Sequence, residues 1–170
     1  MRQRTSSRPK PTVGAGRPQA TSALDAGLRL LGRRAHSQVE LRRKLDRRGY
    51  TPDQTEAALS RLIELGYLDD RSFAEGLVRR RGAIRGPLAL SAELAARGVE
   101  RAHADQALAG FDAEAQLAAA TRLAERLYAR KPQAGYRDML NAVGPKLMRR
   151  GFSANVVRAA CRAALPGTED

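Results

Sequence analysis

The sequence is short of most of what surface chemistry needs. It has one cysteine, Cys161, so no disulfide can close within the chain. Tryptophan is absent and aromatic residues make up only 4% of the chain. Single-strand binders lay bases on aromatic platforms; the few rings here, such as Tyr50, Tyr67, Phe73 and Phe152, fall at helix joints and read as core. The two histidines, His36 and His103, lie far apart, and neither falls into a zinc-ligand spacing. No run approaches the roughly 18 apolar residues of a membrane helix. No alternation of Val, Ile or Thr reads as a strand. The stretch "GAGRPQA" lacks the lysine and strand context of a phosphate loop. No Ser or Cys nucleophile pairs with a base. Asp69 and Asp70 sit where a helix needs its N-cap, which accounts for them without chemistry. The chain is therefore expected to be a non-enzyme with no catalytic residue, no cofactor and no metal.

Acids are also scarce. Eighteen Asp and Glu face 31 Lys and Arg, for a formal charge of +13 and a pI near 11.2. Such an excess implies a polyanion or an acidic protein surface as partner. Residues 1–19 contain no acid and five basic residues, and no apolar stretch that would make them a secretory signal. Pro9, Pro11 and Pro18 spoil an amphipathic transit helix, so this segment is expected to be a disordered basic tail. Residues 166–170 are expected to be a short C-terminal tail.

What the chain does have is alanine, leucine and repetition. Ala and Leu are the best helix formers. "KLDRRGYT" (44–51), "ELAARGVE" (93–100) and "KLMRRGFS" (146–153) are three versions of one octapeptide. Each reads as a joint between helices. Leu45, Leu94 and Leu147 are last buried turns. Gly49, Gly98 and Gly151 are left-handed stops. Tyr50, Val99 and Phe152 plug the core. Ser37 with Glu40, and Thr51 with Gln54, have the capping-box spacing, and Pro52 suits a first helical position. A first helix is expected to reach Arg34 with Leu24, Leu28 and Leu31 inward. Leu59, Leu62 and Ile63 should line the third helix, with Leu108 and Cys161 in the place of Leu59. Longer helices capped by Asp69 or Asp70, and by Asp112, should precede the second and third joints. Pro145 should kink or restart the eighth helix. The expected fold is all-α: an elongated, curved array of three tandem three-helix repeats, about nine helices, over 20–68, 69–111 and 112–165.

The arginines are clustered. Arg29 and Arg33 are four apart, as are Arg43 and Arg47. Arg79, Arg80 and Arg81 form a run with Arg85 beyond it; Arg122, Arg126 and Arg130 share one helical stripe; Arg149 and Arg150 end the eighth helix. These thirteen are the candidate contacts to the polyanion. Arg48, Arg97 and Arg150 each precede a stop glycine, where a cation also favours the helix C-terminus. The expected third helices are acidic and carry few cations, which argues against sequence reading in a DNA groove.

"SQVELRRKLDRRGY" followed by "LIELGYLDDRSFA" resembles the RecX family of recombination regulators, most specifically at Gly66–Ala74. The resemblance covers about residues 20–165. It implies a cytoplasmic, non-enzymatic protein that binds the RecA recombinase and its nucleoprotein filament; single- and double-stranded DNA are further expected partners, and the protein is expected to be a monomer. On the filament it would limit filament growth, ATP hydrolysis and strand exchange. It supplies no catalytic residue and no contact that transfers to a numbered position here. A basic helical array that binds DNA with no specific protein partner is the alternative.

Overall fold

The computed structural model describes residues 21–129 and 135–165. Among these residues there are nine helices and no strand: α1 (Ala23–Leu31), α2 (Gln38–Asp46), α3 (Pro52–Glu64), α4 (Asp70–Arg81), α5 (Pro87–Ala96), α6 (Arg101–Ala109), α7 (Ala113–Tyr128), α8 (Tyr136–Arg149) and α9 (Ala154–Ala163). They form three tandem three-helix units, each closed by its last helix. α3 packs on α1 and α2, α6 on α4 and α5, and α9 on α7 and α8.

Local sequence sets the ends. Ser37 and Glu40 close a reciprocal capping box at α2, and Thr51 and Gln54 close another at α3 with Pro52 leading. Asp69, Asp112 and Ser153 cap α4, α7 and α9 through side-chain oxygens. Such caps are worth about 1 kcal/mol each. The joint glycines Gly49, Gly98 and Gly151 all have positive φ, between 73° and 88°. Behind them Leu45, Leu94 and Leu147 are fully buried.

The first unit has its own core, built from Leu30, Leu41, Leu45, Leu59, Leu62 and Leu68 with Ala23, Ala26 and Ala58. The second and third units share one continuous core, from Phe73 through Leu90, Leu94, Leu123, Met139 and Leu147 to Cys161.

Several sequence expectations need correction. α1 stops at Leu31 rather than near Arg34, and its buried face is Ala23, Ala26, Gly27 and Leu30. Leu24, Leu28 and Leu31 only flank that core. The small face lets α3 come close: a Cβ on Gly27 would lie 2.8 Å from Leu62. Ile63 and Tyr67 are 44% and 61% exposed, so neither is core. Ala104 and Ala107 are the buried residues of α6, with Leu108 only partly buried beside them. α8 runs through Pro145 without a restart. Met139, Val143 and Leu147 are fully buried on both sides of that proline. Their burial, at about 1.5–3 kcal/mol each, outweighs the roughly 3 kcal/mol cost of an interior proline.

Candidate functional site

The repeated octapeptide is the joint between units as well as between helices. The carbonyl of Arg97 accepts a 2.6 Å hydrogen bond from Ser37, the N-cap of α2. The carbonyl of Arg150 accepts a 2.8 Å hydrogen bond from the backbone N–H of Gly86, the N-cap of α5. Gly151 also accepts from the N–H of Leu88 at 3.2 Å. In both cases the Arg-Gly end of one unit's middle helix docks on the start of the previous unit's middle helix. Glycine is required there for contact as well as for φ. A Cβ on Gly98 would meet Val39 at 2.6 Å, and one on Gly151 would meet the Ala89 backbone nitrogen at 2.3 Å.

The two seams differ. The first is polar. Asp70, which is buried, accepts from the N–H of Gln38 at 2.8 Å. Asp69 rather than Asp70 caps α4. Burial raises the Asp70 carboxyl above its ordinary pKa despite that bond. Arg97 bonds Glu40 at 3.0 Å and Glu93 at 2.8 Å, and its guanidinium lies 5.9 Å from the Phe73 ring centre. Arg34 reaches Glu40 at 3.0 Å. Burial alone would raise Glu40, but the hydrogen bond and charge of Arg34 and the charge of Arg97 outweigh it and lower its pKa. His36 is 2% exposed. Its Nδ1 lies 2.9 Å from the Arg34 carbonyl, which can only accept, so Nδ1 carries the proton. Nε2 then accepts from Lys44 Nζ at 2.9 Å. Burial lowers the His36 pKa, and the charges of Arg34 and Lys44 add to this.

Cationic hollows open along these joints. One of about 560 Å³ is lined by Arg34, Arg80, Arg81 and Arg97, with Glu40 as its acid and Phe73 and Leu77 beneath. A second, of about 450 Å³, is lined by Arg85, Lys146, Arg149 and Arg150 with Ile84 and Leu127, and no acid. A third, of about 270 Å³, holds Arg29, Arg33 and Arg48 beside Tyr50. Thus Arg48, Arg97 and Arg150, the arginines before the three stop glycines, each line a different hollow, and those of Arg97 and Arg150 also take residues from the preceding unit.

Of the thirteen candidate arginines, Arg29 and Arg33 share the third hollow, Arg80 and Arg81 the first, and Arg85, Arg149 and Arg150 the second. The 79–81 run is split. Arg79 turns to another face, where it shares a more apolar hollow of about 530 Å³ with Arg122, Phe111 and Ala119. Arg43, Arg47 and Arg126 are exposed and line none of these hollows. Arg130 lies outside the described residues. Sequence reasoning left out Arg34, Arg48, Arg97 and Lys146. The signal for Arg97 was its recurrence before a stop glycine, discounted as helix-end electrostatics. No group of His, Cys, Asp and Glu among the described residues could hold a metal, and no helix among them is long and apolar enough to cross a membrane.

Comparison with known proteins agrees on one family. Residues 23–62 match the model for the first three-helix domain of RecX, and residues 69–108 the model for the second. The chain is 43% identical over 142 residues to the regulatory protein RecX of Halorhodospira halophila, covering 82% of this chain and 86% of that one. It is 42% identical over 135 residues to that of Mycolicibacterium vanbaalenii, covering 74% and 73%. The crystal structure of RecX from Lactobacillus salivarius superposes with a TM-score of 0.74 over 84% of this chain and 94% of that one; at 24% identity it speaks for the fold.

Proposed function

The chain belongs to the RecX family of regulatory proteins, and on that premise we propose that it binds the RecA–DNA filament and modulates it, mainly by restraint. RecA ATP hydrolysis, filament extension and strand exchange are the activities it limits. It does so in the cytoplasm, as a monomer and without catalysis, by occupying surface that the filament needs. The units responsible run over 20–68, 69–111 and 112–165. The observation that carries this reading is the row of cationic hollows, each built on the arginine of a repeated joint. A repeating array of cations suits a ligand that is itself a repeating polyanion, and a filament offers both DNA phosphates and protein surface.

The test is fluorescence anisotropy at 150 mM salt, with a labelled single-stranded oligonucleotide either bare or coated with RecA and a non-hydrolysable ATP analogue. Binding to the coated strand should be at least tenfold tighter. Equal or weaker binding to the coated strand would favour an independent DNA-binding array.

A further inference from the structure

The more apolar hollow has a chemistry of its own. It measures about 530 Å³ and lies between α4 and α6 of the second unit and α7 of the third. Its floor is apolar: Val78, Ala107, Phe111 and Ala119, all buried. Ala83 and Ala115, both exposed, stand at its mouth. Small residues keep it open. A Cβ on Gly82 would lie 3.4 Å from the Phe111 ring and 2.9 Å from the Val78 carbonyl. The link into α7 is pinned by its own side chains. Gln116 donates to the Phe111 carbonyl at 2.7 Å, and Asp112 accepts from the N–H of Ala115 at 2.8 Å. The hollow is therefore formed before any ligand arrives, so little of the binding energy goes into ordering it.

Two cations also line it, Arg79 from α4 and Arg122 from α7. Both are exposed, and neither has an ion-pair or hydrogen-bond partner among the described residues. Glu75, the acid of the lining, is already engaged with Arg71 at 3.1 Å. We propose that this hollow is a protein-docking site: it takes one apolar side chain from an acidic segment of a partner, and that segment's carboxylates rest on Arg79 and Arg122. Unused guanidinium forks match carboxylates, and an apolar pocket is where a partner's anchor side chain gains most. A nucleobase would press polar edges onto a floor of alanine, valine and phenylalanine that offers them no partner. A second copy of the chain would bring the same +13 charge and be repelled. The inference goes beyond the filament reading and does not depend on it.

The test is fluorescence anisotropy with the full chain at 150 mM salt and two labelled peptides, Ser-Glu-Glu-Phe-Glu-Ser and the same peptide with Ala in place of Phe. The Phe peptide should bind at least about tenfold tighter, because both carry the same charge and only one has an anchor. Ala83→Leu with Ala115→Leu fills the mouth without changing charge and should remove that difference. The same pair should leave the affinity for a labelled oligothymidylate within about twofold, since no phosphate contact is lost. Arg79→Gln with Arg122→Gln should weaken the Phe peptide at least about fivefold. Arg101→Gln with Arg158→Gln, exposed cations that line no part of this hollow, is the charge-matched control and should change it less than about twofold. Circular dichroism checks the fold of each variant, and Ala115→Leu alone repeats the filling test if the pair unfolds. Equal affinity for the two peptides, or binding of the Phe peptide weaker than about 1 mM, overturns the proposal. An undiminished Phe preference in the filled variant overturns it as well. Loss of oligothymidylate binding on filling would make the hollow a nucleic-acid site instead. Self-association in sedimentation velocity that filling abolishes would make a second copy the occupant. Tighter peptide binding after removal of residues 166–170, which include Glu169 and Asp170, would assign the hollow to the chain's own acidic end. Each of these three results also overturns the proposal.

Discussion

The joint glycines make a sharp prediction, because three positions separate two costs. Gly66 has φ +72° and no atom within 4 Å of where a Cβ would be. Gly66→Ala should therefore cost only left-handed backbone strain, about 1–2 kcal/mol. Gly86 has an ordinary extended backbone, with φ −83°, but its Cβ would lie 2.4 Å from the Gly151 carbonyl. Gly86→Ala should cost about 1–3 kcal/mol for overpacking. Breaking either of the two backbone bonds between units adds roughly 0.5–1.5 kcal/mol. Gly151 carries both burdens, with φ +88° and the Ala89 nitrogen 2.3 Å from a Cβ. Gly151→Ala should cost about 3–6 kcal/mol, lowering Tm by roughly 6–24 °C at 2–4 °C per kcal/mol. Urea unfolding followed by circular dichroism measures all three. If Gly151→Ala matches Gly66→Ala within about 0.5 kcal/mol, the joint glycine is only a helix stop, and its role as a contact between units is wrong.

Two further predictions concern the polar seam. The folded pKa of His36 lies below its ordinary value of 6.5, so the unfolded chain binds a proton first. The stability His36 contributes is fully present above pH 6.5 and is lost as the pH falls toward the folded value. Thermal melts from pH 7.5 to 5 should show Tm falling below about pH 6.5, and His36→Gln should flatten that slope; parallel profiles would contradict it. Asp70 is shifted the other way by burial. Its ionised form costs stability as the pH rises through the folded pKa, so Asp70→Asn should be nearly neutral at pH 7. Asp70→Ala should lose about 1–3 kcal/mol by stranding the Gln38 N–H, as read by urea unfolding.

The helices were legible because their ends are written locally. The Ser37 and Thr51 boxes, the Asp69 and Asp112 caps and the stop glycines each depend on residues within four positions. The faces of α1 and α3 were less so. Leu24, Leu28 and Leu31 have the right spacing, but Leu62 packs against the small residues one position round, and only tertiary packing decides between them. The restart expected at Pro145 is absent because the proline's penalty is local, while the burial of Met139, Val143 and Leu147 on either side of it depends on packing against other helices. The arginine clusters were visible, but their grouping was not. Neighbours in sequence at 79–81 diverge to two faces, while Arg34 and Arg97 converge from two units. Arg97 looked like helix-end electrostatics because a residue that both holds the joint and lines a hollow shows only its local role in sequence.

The most direct measurement is the RecA ATPase rate on single-stranded DNA, titrated with this protein at physiological salt, beside its affinity for the bare strand. If the protein acts on the filament, ATP hydrolysis falls at concentrations too low to coat naked DNA, and moderate added salt does not abolish the effect. If inhibition appears only as the protein saturates the DNA, and vanishes with added salt, it competes for phosphates alone and the account of a RecA regulator is contradicted.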